Sequence, residues 1–293
     1  MKKIFFLLTA LLIFSTVKGV CNNIEEDYST NEIIMDSIAS HSFHLVPLKY
    51  EGRIQTEKEK FEKDKTGAIV RINPEKQNIY LVFTADSLFE GGEQILDILN
   101  AHQIKGSFFF TGNFLRNRNH KRIIQKIIKD GHYVGPHSDK HLLYCDWKNQ
   151  DSTLITFEKF KTDLDNNYKA LKRFGVQRKE AAYFIPPYEW CNRQIVDWCT
   201  KLGIEVVNFT PGTGTNEDNT TPKMENYKSS EKIWENLKIF EEYRPEHLNG
   251  AILLIHPGTK PARKDKFYNL LDELIEYMYT NGYRFKSLKS SDD

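Results

Sequence analysis

Short apolar runs alternate with helical patterns from residue 78 to the end of the chain. Between the runs, apolar residues recur every three or four positions, as Ile95 and Leu99 do, which indicates helices that bury one face. Gly131, Gly175 and Gly203 follow three of these patterns, where helices commonly end. Strands are predicted at the apolar runs 79–83, 106–111, 132–135, 181–185, 204–209, 251–255 and 283–285.

The central runs, such as Ile79–Phe83 and Ala251–Ile255, are apolar at every position. This pattern is typical of parallel strands that helices cover on both faces, either as a barrel or as an open doubly wound sheet. No glycine-rich phosphate loop follows the first strand, which weighs against a nucleotide-binding open sheet. We therefore predict an α/β fold in which about seven parallel strands form a (β/α) barrel.

The start of the chain has the pattern of a signal peptide, which we place at residues 1–20. Two lysines precede an apolar run from 4 to 14, and Val17–Gly19 offers small residues for cleavage. The run is too short to remain as a transmembrane helix. We therefore predict export to the periplasm, the outer surface or the medium. Lipid anchoring at Cys21 is a less favoured alternative, because the valine before it fits that processing poorly.

Residues 21–75 lack the regular alternation of the later chain. They are polar and mixed, and we interpret them as an N-terminal extension with strands at 43–46 and 68–72. Residues 76–293 are predicted to form the barrel domain.

The balance of charged residues weighs against a highly charged partner such as nucleic acid. Among 293 residues, 41 are Lys or Arg and 40 are Asp or Glu, so the formal net charge is +1. Such a chain has no field that would gather nucleic acid. Aromatic residues make up 13%, which suits both a packed core and a sugar-binding cleft.

Three cysteines follow Cys21, and none has the CxxC spacing of a zinc or redox site. Export would permit disulfides. Cys191 and Cys199 would lie roughly 12 Å apart along one predicted helix, which is too far for a bond. A bond from Cys145 to one of them is left open.

Candidate metal ligands follow the first and third predicted strands. His137 and His141 are four residues apart, so on a helix both imidazoles would share one face and one metal ion. Asp86 follows the first strand, and in a barrel the carboxyl ends of the strands meet at one face. An Asp-His-His set suits zinc or another divalent ion. The alternatives are surface histidines and a capping or turn role for Asp86.

In their order these motifs resemble the polysaccharide deacetylase (NodB-homology) family, over about residues 79–288. The family motif Thr-Phe-Asp-Asp-Gly falls on 83–87, His-Ser/Thr-x-x-His on 137–141, Arg-Pro-Pro-Tyr on 185–188 and Leu-x-x-His on 253–256. The second motif matches in full.

The resemblance implies a distorted barrel that uses a divalent metal to hydrolyse N- or O-linked acetyl groups on sugars. It implies that Asp86, His137 and His141 bind the metal, most simply Zn²⁺, with Co²⁺ and Ni²⁺ as alternatives. It also implies that His256 is the general acid and that the backbone N–H of Tyr188 helps to bind the oxyanion.

Two family positions are changed together. The general-base aspartate is replaced by Ala85, and the arginine that pairs with it is replaced by Ile185. The joint loss is physically coherent, because an arginine left alone in a half-buried cleft would be an unpaired charge. Glu90, Asp146 and Glu189 are candidates for a relocated base. The acidic fourth motif is not recognisable around 208–215.

Two functional hypotheses remain. The first is an exported, metal-dependent deacetylase that acts on an acetylated polysaccharide or oligosaccharide. The second is an inactive relative that binds carbohydrate. In either case Pro187, Tyr188, Trp190 and Trp147 are candidates for sugar contacts, although aromatic residues often pack in the core instead. A zinc peptidase is a remoter hypothesis that we set aside, because Ser138 stands where HExxH proteins have their glutamate.

Overall fold

The structure, a computed structural model, describes residues 60–288. The predicted signal peptide, Cys21 and the strand predicted at 43–46 lie outside these residues. No helix among the described residues has both the length and the apolar character needed to cross a membrane.

Strands and helices alternate as the hydrophobic pattern predicts. The strands are β1 (Phe61–Lys63), β2 (Ile69–Ile72), β3 (Asn78–Ala85), β4 (Ser107–Phe110), β5 (Tyr133–Pro136), β6 (Tyr183–Phe184), β7 (Glu205–Val206), β8 (Ala251–Ile255) and β9 (Arg284–Lys286). The helices are α1 (Gly92–Ala101), α2 (Gly112–Arg116), α3 (Lys121–Lys129), α4 (Phe157–Lys172), α5 (Arg193–Lys201), α6 (Ser230–Tyr243) and α7 (Leu271–Thr280). A strand is therefore present at each of the seven predicted runs.

The main sheet has the order β1-β2-β8-β3-β4-β5, with β9 paired to the first half of β3. The pairs from β8 to β5 are parallel, while β1, β2 and β8 pair antiparallel. The short parallel pair β6-β7 bridges the two ends of this sheet. Val207 pairs with Ile69 on one side, and Ile185 N donates to Pro136 O at 3.4 Å on the other. The predicted distorted barrel is confirmed.

Side chains from alternate strand positions form two separate buried clusters. The inner cluster contains Tyr80 and Val82 of β3 and Ile252 and Leu254 of β8, and no helix contributes to it. The outer cluster lies between the strands and the helices. Since burying one large apolar side chain contributes about 1.5–3 kcal/mol, strands that are apolar on both faces stabilise both layers.

Among residues 60–288, the cysteines at 145, 191 and 199 are buried free thiols. The expectation that Cys191 and Cys199 share a helix is wrong, because α5 begins at Arg193 with Asn192 as its N-cap. The Asn192 side chain accepts a hydrogen bond from Ile195 N at 3.1 Å, and this capping bond fixes the start of the helix after Cys191.

A buried histidine makes the stability of the barrel depend on pH. His132 precedes β5, its Nδ1 accepts a hydrogen bond from Gly106 N at 3.0 Å, and its ring packs edge-on against Phe108. Burial, together with the charge of Lys105, lowers the pKa of His132 from 6.5 to about 4. The unfolded chain therefore binds this proton more readily than the folded chain between about pH 6.5 and pH 4.

Lowering the pH from 7 to 5 is expected to reduce the free energy of unfolding by about 1–2 kcal/mol through His132 alone. In His132→Asn the side-chain oxygen replaces the accepting nitrogen but does not titrate. Between pH 7 and pH 5 the free energy of unfolding of the variant should therefore fall by about 1–2 kcal/mol less than that of the wild type. Urea unfolding at several pH values measures this difference. Identical pH slopes for the two proteins would contradict the assignment.

Candidate functional site

An open cleft of about 330 Å³ lies where β3, β5 and β8 end, beside the loop that follows β6. Five predicted site residues line it together: Asp86, His137, His141, Tyr188 and His256. This is the face on which a barrel collects its polar groups, because loops from several parallel strands end there.

Asp86 follows β3 and is held by the end of the neighbouring strand. Its Oδ1 accepts hydrogen bonds from Thr111 Oγ1 at 2.9 Å and Asn113 Nδ2 at 3.2 Å. The N-cap of α1 is Gly91. Asp86 is therefore oriented by neighbouring side chains and does not cap the helix that follows it.

His137 follows β5 and is buried at the floor of the cleft. Its Nδ1 lies 2.8 Å from Ile185 O, and its backbone N–H donates to Asn167 Oδ1 at 3.0 Å. A carbonyl oxygen can only accept, so Nδ1 carries the proton and Nε2 is left with a lone pair. Burial, with the nearby His141, lowers the pKa of His137 well below its usual value.

The chain from His137 to His141 is a loop, so the helix that the four-residue spacing suggested does not form. Ser138 and His141 have positive φ values of 72° and 55°, which no helix contains. His141 N donates to Ser138 Oγ at 2.8 Å, and this turn brings the two imidazole centroids to 5.1 Å. Burial lowers the pKa of His141, and the Asp86 carboxylate opposes that shift.

Glu189 is a site residue whose importance the sequence did not single out from two other carboxylates. Glu90 pairs with Lys266 at 2.8 Å, and Asp146 accepts the backbone N–H groups of Lys148 and Asn149 in a turn. Of the three candidates for a relocated base, only Glu189 lines the cleft.

The Glu189 carboxylate is nearly enclosed, with its side chain 10% exposed. Thr84 Oγ1 lies 3.5 Å from its Oε1, and Asn208 Nδ2 donates to its backbone oxygen at 2.8 Å. The same Oε1 lies 4.0 Å from His137 Nε2. Burial raises the pKa of Glu189, and the nearby His256 acts against that shift.

The acid that orients His256 is Asp218, a residue that the sequence motifs did not indicate. Asp218 Oδ1 lies 2.6 Å from His256 Nδ1, and its Oδ2 accepts the His256 backbone N–H at 2.8 Å. Burial acts to lower the pKa of His256, but the Asp218 carboxylate and Glu189 outweigh it, and the pKa is raised. Asp218 lies just beyond the range 208–215 in which the fourth family motif was expected, in the 3₁₀ helix Thr215–Asn219.

Aromatic side chains continue from the cleft along one side. Tyr188 packs edge-on against His141 at 4.3 Å, Trp147 against Tyr188 at 5.4 Å, and Trp190 stacks on Trp147 at 5.8 Å. Trp147 is 56% exposed and Tyr188 44%, so neither lies in the core. Trp190 is half-buried, and Pro187 is buried. The exposed rings provide an apolar surface beside the polar cleft.

The two changed family positions adopt apolar roles. Ala85 ends β3 at the edge of the cleft. Ile185 points into the inner cluster of the barrel, while its backbone oxygen accepts from His137. The position of the family's base therefore carries no carboxylate, and the position of its arginine carries no guanidinium.

A divalent cation fits this site by its donor atoms. His137 presents an unprotonated Nε2, and Asp86 keeps one oxygen occupied by orienting hydrogen bonds, as metal-ligating side chains usually do. Within residues 60–288, no group of three or more His, Cys, Asp or Glu side chains stands close enough to hold a metal ion. Binding therefore requires these side chains to draw closer together.

Residues 71–207 match the sequence model of the polysaccharide deacetylase family. An uncharacterized 30.6 kDa protein from Geobacillus stearothermophilus is 29% identical over 227 residues, which cover 77% of this chain and 74% of the relative. The peptidoglycan-N-acetylmuramic acid deacetylase PdaA of Bacillus subtilis is 26% identical over 219 residues, which cover 74% of this chain and 72% of PdaA.

Among solved structures, a CE4 family pseudoenzyme from Bacillus anthracis matches with a TM-score of 0.59 at 19% identity. The match covers 77% of this chain and 68% of the pseudoenzyme. The resemblance noted from the motifs is confirmed, and so is the fold it implied.

Proposed function

We propose that this chain is a member of the polysaccharide deacetylase family and a metal-dependent hydrolase that removes N- or O-linked acetyl groups from a glycan. The observation that carries the proposal is the convergence of Asp86, His137, His141 and the Asp218-oriented His256 on one cleft. We also propose that residues 1–20 export the protein to the compartment where such a glycan lies.

In this proposal Asp86, His137 and His141 hold the cation, Zn²⁺ or alternatively Co²⁺ or Ni²⁺. A divalent ion supplies polarisation of the acetyl carbonyl and a water that ionises near neutral pH. The residues contribute orientation. Thr111 and Asn113 fix the carboxylate of Asp86, and the hydrogen bond to Ile185 O fixes the His137 ring.

His256 delivers the proton to the leaving amine or alkoxide. The buried Asp218 carboxylate holds the proton on Nδ1, so Nε2 is the nitrogen that can donate to substrate. Because the pKa of His256 is raised, the imidazole retains its acidic proton closer to neutral pH. The backbone N–H of Tyr188, at a left-handed turn with φ of 61°, is proposed to donate to the oxyanion.

The missing base at Ala85 lowers the expected rate but does not remove the reaction. A general base typically contributes about 10²–10⁴ in rate, which corresponds to roughly 3–5 kcal/mol of the barrier. We therefore expect a slow deacetylase.

Trp147 is proposed to stack on a sugar ring next to the acetylated one. Trp147→Ala should raise KM for an oligosaccharide about 5- to 10-fold and leave kcat within twofold, because an aromatic contact contributes about 0.5–1.5 kcal/mol of binding. Steady-state acetate release measures both constants. Tyr243→Ala removes another exposed aromatic ring outside the cleft and should change neither. An unchanged KM in Trp147→Ala would remove this residue from the substrate site.

A catalytically impaired carbohydrate-binding protein is the second candidate function. The joint replacement at Ala85 and Ile185 favours it, and a protein of similar fold is a CE4 family pseudoenzyme. In that case the aromatic surface would bind the glycan, and the cleft would no longer remove its acetyl groups.

The experiment that separates these functions is acetate release by protein stripped of metal and reloaded with Zn²⁺, Co²⁺ or Ni²⁺. Peptidoglycan, chitin oligomers and acetylated xylan cover amide and ester substrates. Metal-dependent release that disappears in His137→Ala supports the hydrolase. Tight glycan binding without release from any of the three substrates supports the binding protein instead.

A further inference from the structure

We propose that Glu189 is a direct ligand of the cation, opposite His137. The inference rests on the cation site of the proposed function and adds a ligand that the Asp-His-His set does not contain. It assigns the site two carboxylates and two imidazoles: Asp86, Glu189, His137 and His141.

The argument begins with two acceptors that face each other. His137 Nδ1 donates to Ile185 O, so its Nε2 has only a lone pair to offer. Glu189 Oε1 lies 4.0 Å from that nitrogen in the nearly enclosed floor of the cleft. A carboxylate and an unprotonated imidazole nitrogen cannot hydrogen-bond to each other, whereas a cation between them would accept a lone pair from both.

The separation suits one ion. Zinc lies about 2.0–2.1 Å from imidazole nitrogen and about 2.0–2.2 Å from carboxylate oxygen. In a tetrahedral site two such ligand atoms lie about 3.4 Å apart. The 4.0 Å between His137 Nε2 and Glu189 Oε1 is slightly longer, so small side-chain movements would let both atoms bind one ion.

The backbone at Glu189 is held in an unfavourable conformation that delivers the carboxylate to this place. Tyr188 and Glu189 have consecutive positive φ values of 61° and 52°, which residues with a Cβ rarely adopt. The hydrogen bond from Asn208 to Glu189 O anchors the turn, and Thr84 lies against the carboxylate. The strained turn therefore directs into the cleft a charged side chain that would otherwise face solvent.

A fourth protein ligand changes what the ion can do. Catalytic zinc sites usually have three protein ligands and an open position, whereas structural sites are closed by four. With Glu189 bound, the site should hold its cation more tightly and react more slowly than a site with three ligands. Glu189, from the loop after β6, thus supplies the cleft with the negative charge that is lost at Ala85.

The test is Zn²⁺ titration of the metal-stripped full-length chain by calorimetry, for the wild type, Glu189→Gln and Glu189→Gly. Both variants should bind Zn²⁺ about 10- to 100-fold more weakly, on the scale of a lost metal-site partner. Glycine accepts positive φ without strain, so Glu189→Gly should melt no lower than the metal-free wild type. Glu90→Gln is the matched control, since Glu90 is bound to Lys266, and its affinity should stay within twofold of the wild type.

Visible absorption of the Co²⁺-loaded protein provides a second readout, because its intensity and position report the ligand set. Wild-type affinity and an unchanged Co²⁺ spectrum in both Glu189 variants would overturn the proposal. Failure of the wild type to bind either ion would overturn it together with the cation site. Weaker binding in the variants, in a protein that releases no acetate, would uphold the ligand and reject only the hydrolase.

Discussion

Replacing Asp218 with asparagine is expected to lower kcat about 10²–10⁴-fold. The Asp218 carboxylate accepts the Nδ1 proton of His256 at 2.6 Å and the His256 backbone N–H at 2.8 Å. An amide at this position loses the charge that stabilises the imidazolium, and its NH₂ group can turn toward Nδ1. The ring then carries its proton on the wrong nitrogen, and Nε2 can no longer donate to the leaving group.

The measurement is acetate release by metal-loaded protein across pH. In the wild type the charge of Asp218 raises the pKa of His256, so removing it moves the alkaline limb of the profile to lower pH. Asp165→Asn is the matched control, because Asp165 pairs with Lys161 and Arg178 on the surface. A normal rate and an unshifted alkaline limb in Asp218→Asn would remove His256 from the role of general acid.

Introducing arginine alone at position 185 is expected to destabilise the barrel by about 3–5 kcal/mol. Ile185 is fully buried in the inner cluster, so the guanidinium would enter an apolar space without a partner. Adding Ala85→Asp supplies the carboxylate. The pair should then recover at least about 1–2 kcal/mol relative to the sum of the single changes. Because the pair rebuilds the family's base, acetate release should also rise, by up to about 10²-fold.

Urea unfolding of Ala85→Asp, Ile185→Arg and the double variant measures the coupling as a double-mutant cycle. Ile252→Arg, at another fully buried position of the inner cluster, is the control that has no partner to gain. Strictly additive free energies for positions 85 and 185 would show that the two sites do not interact. They would also show that their joint replacement is unrelated to the loss of an ion pair.

The barrel was predictable because its strands are apolar on both faces and lie between clear helical patterns. The prediction was least exact at β6 and β7, where runs of five and six residues form ladders of only two. These strands close the barrel through the β-bridge between Val207 and Ile69 and through one long hydrogen bond from Ile185 N to Pro136 O. Tertiary contacts therefore decide how far the two strands extend. β2 was also predicted, but its antiparallel pairing with β8 depends on contacts far apart in the chain.

Part of the site could not be predicted because the relevant backbone is irregular. The helix that would have placed both imidazoles of 137–141 on one face is absent, and this segment is a loop whose Asp139 and Lys140 N–H groups donate to Asp163. A carboxylate on α4 thus shapes the histidine turn, and no local pattern reveals it. Glu189 is similarly hidden, because positive φ at a residue other than glycine leaves no mark in the sequence.

Asp218 could not be predicted for a different reason. It lies in a short 3₁₀ helix, Thr215–Asn219, 38 residues before the histidine it orients, and their hydrogen bond forms only when that helix packs against the end of β8. Buried Arg263 holds the segment that follows this helix by donating to the backbone oxygens of Thr220 and Lys228. These contacts depend on the folded position of two loops, which spacing along the chain does not encode.

Elemental analysis of the purified, undenatured protein tests the central claim most directly, namely that the cleft holds a divalent cation through His137 and His141. We predict close to one equivalent of a divalent transition metal per chain in the wild type and in Glu90→Gln, and a stoichiometry near zero in a His137→Ala/His141→Ala variant. The absence of stoichiometric metal from the wild type after exposure to Zn²⁺, or equal metal content in the double variant, would contradict the account.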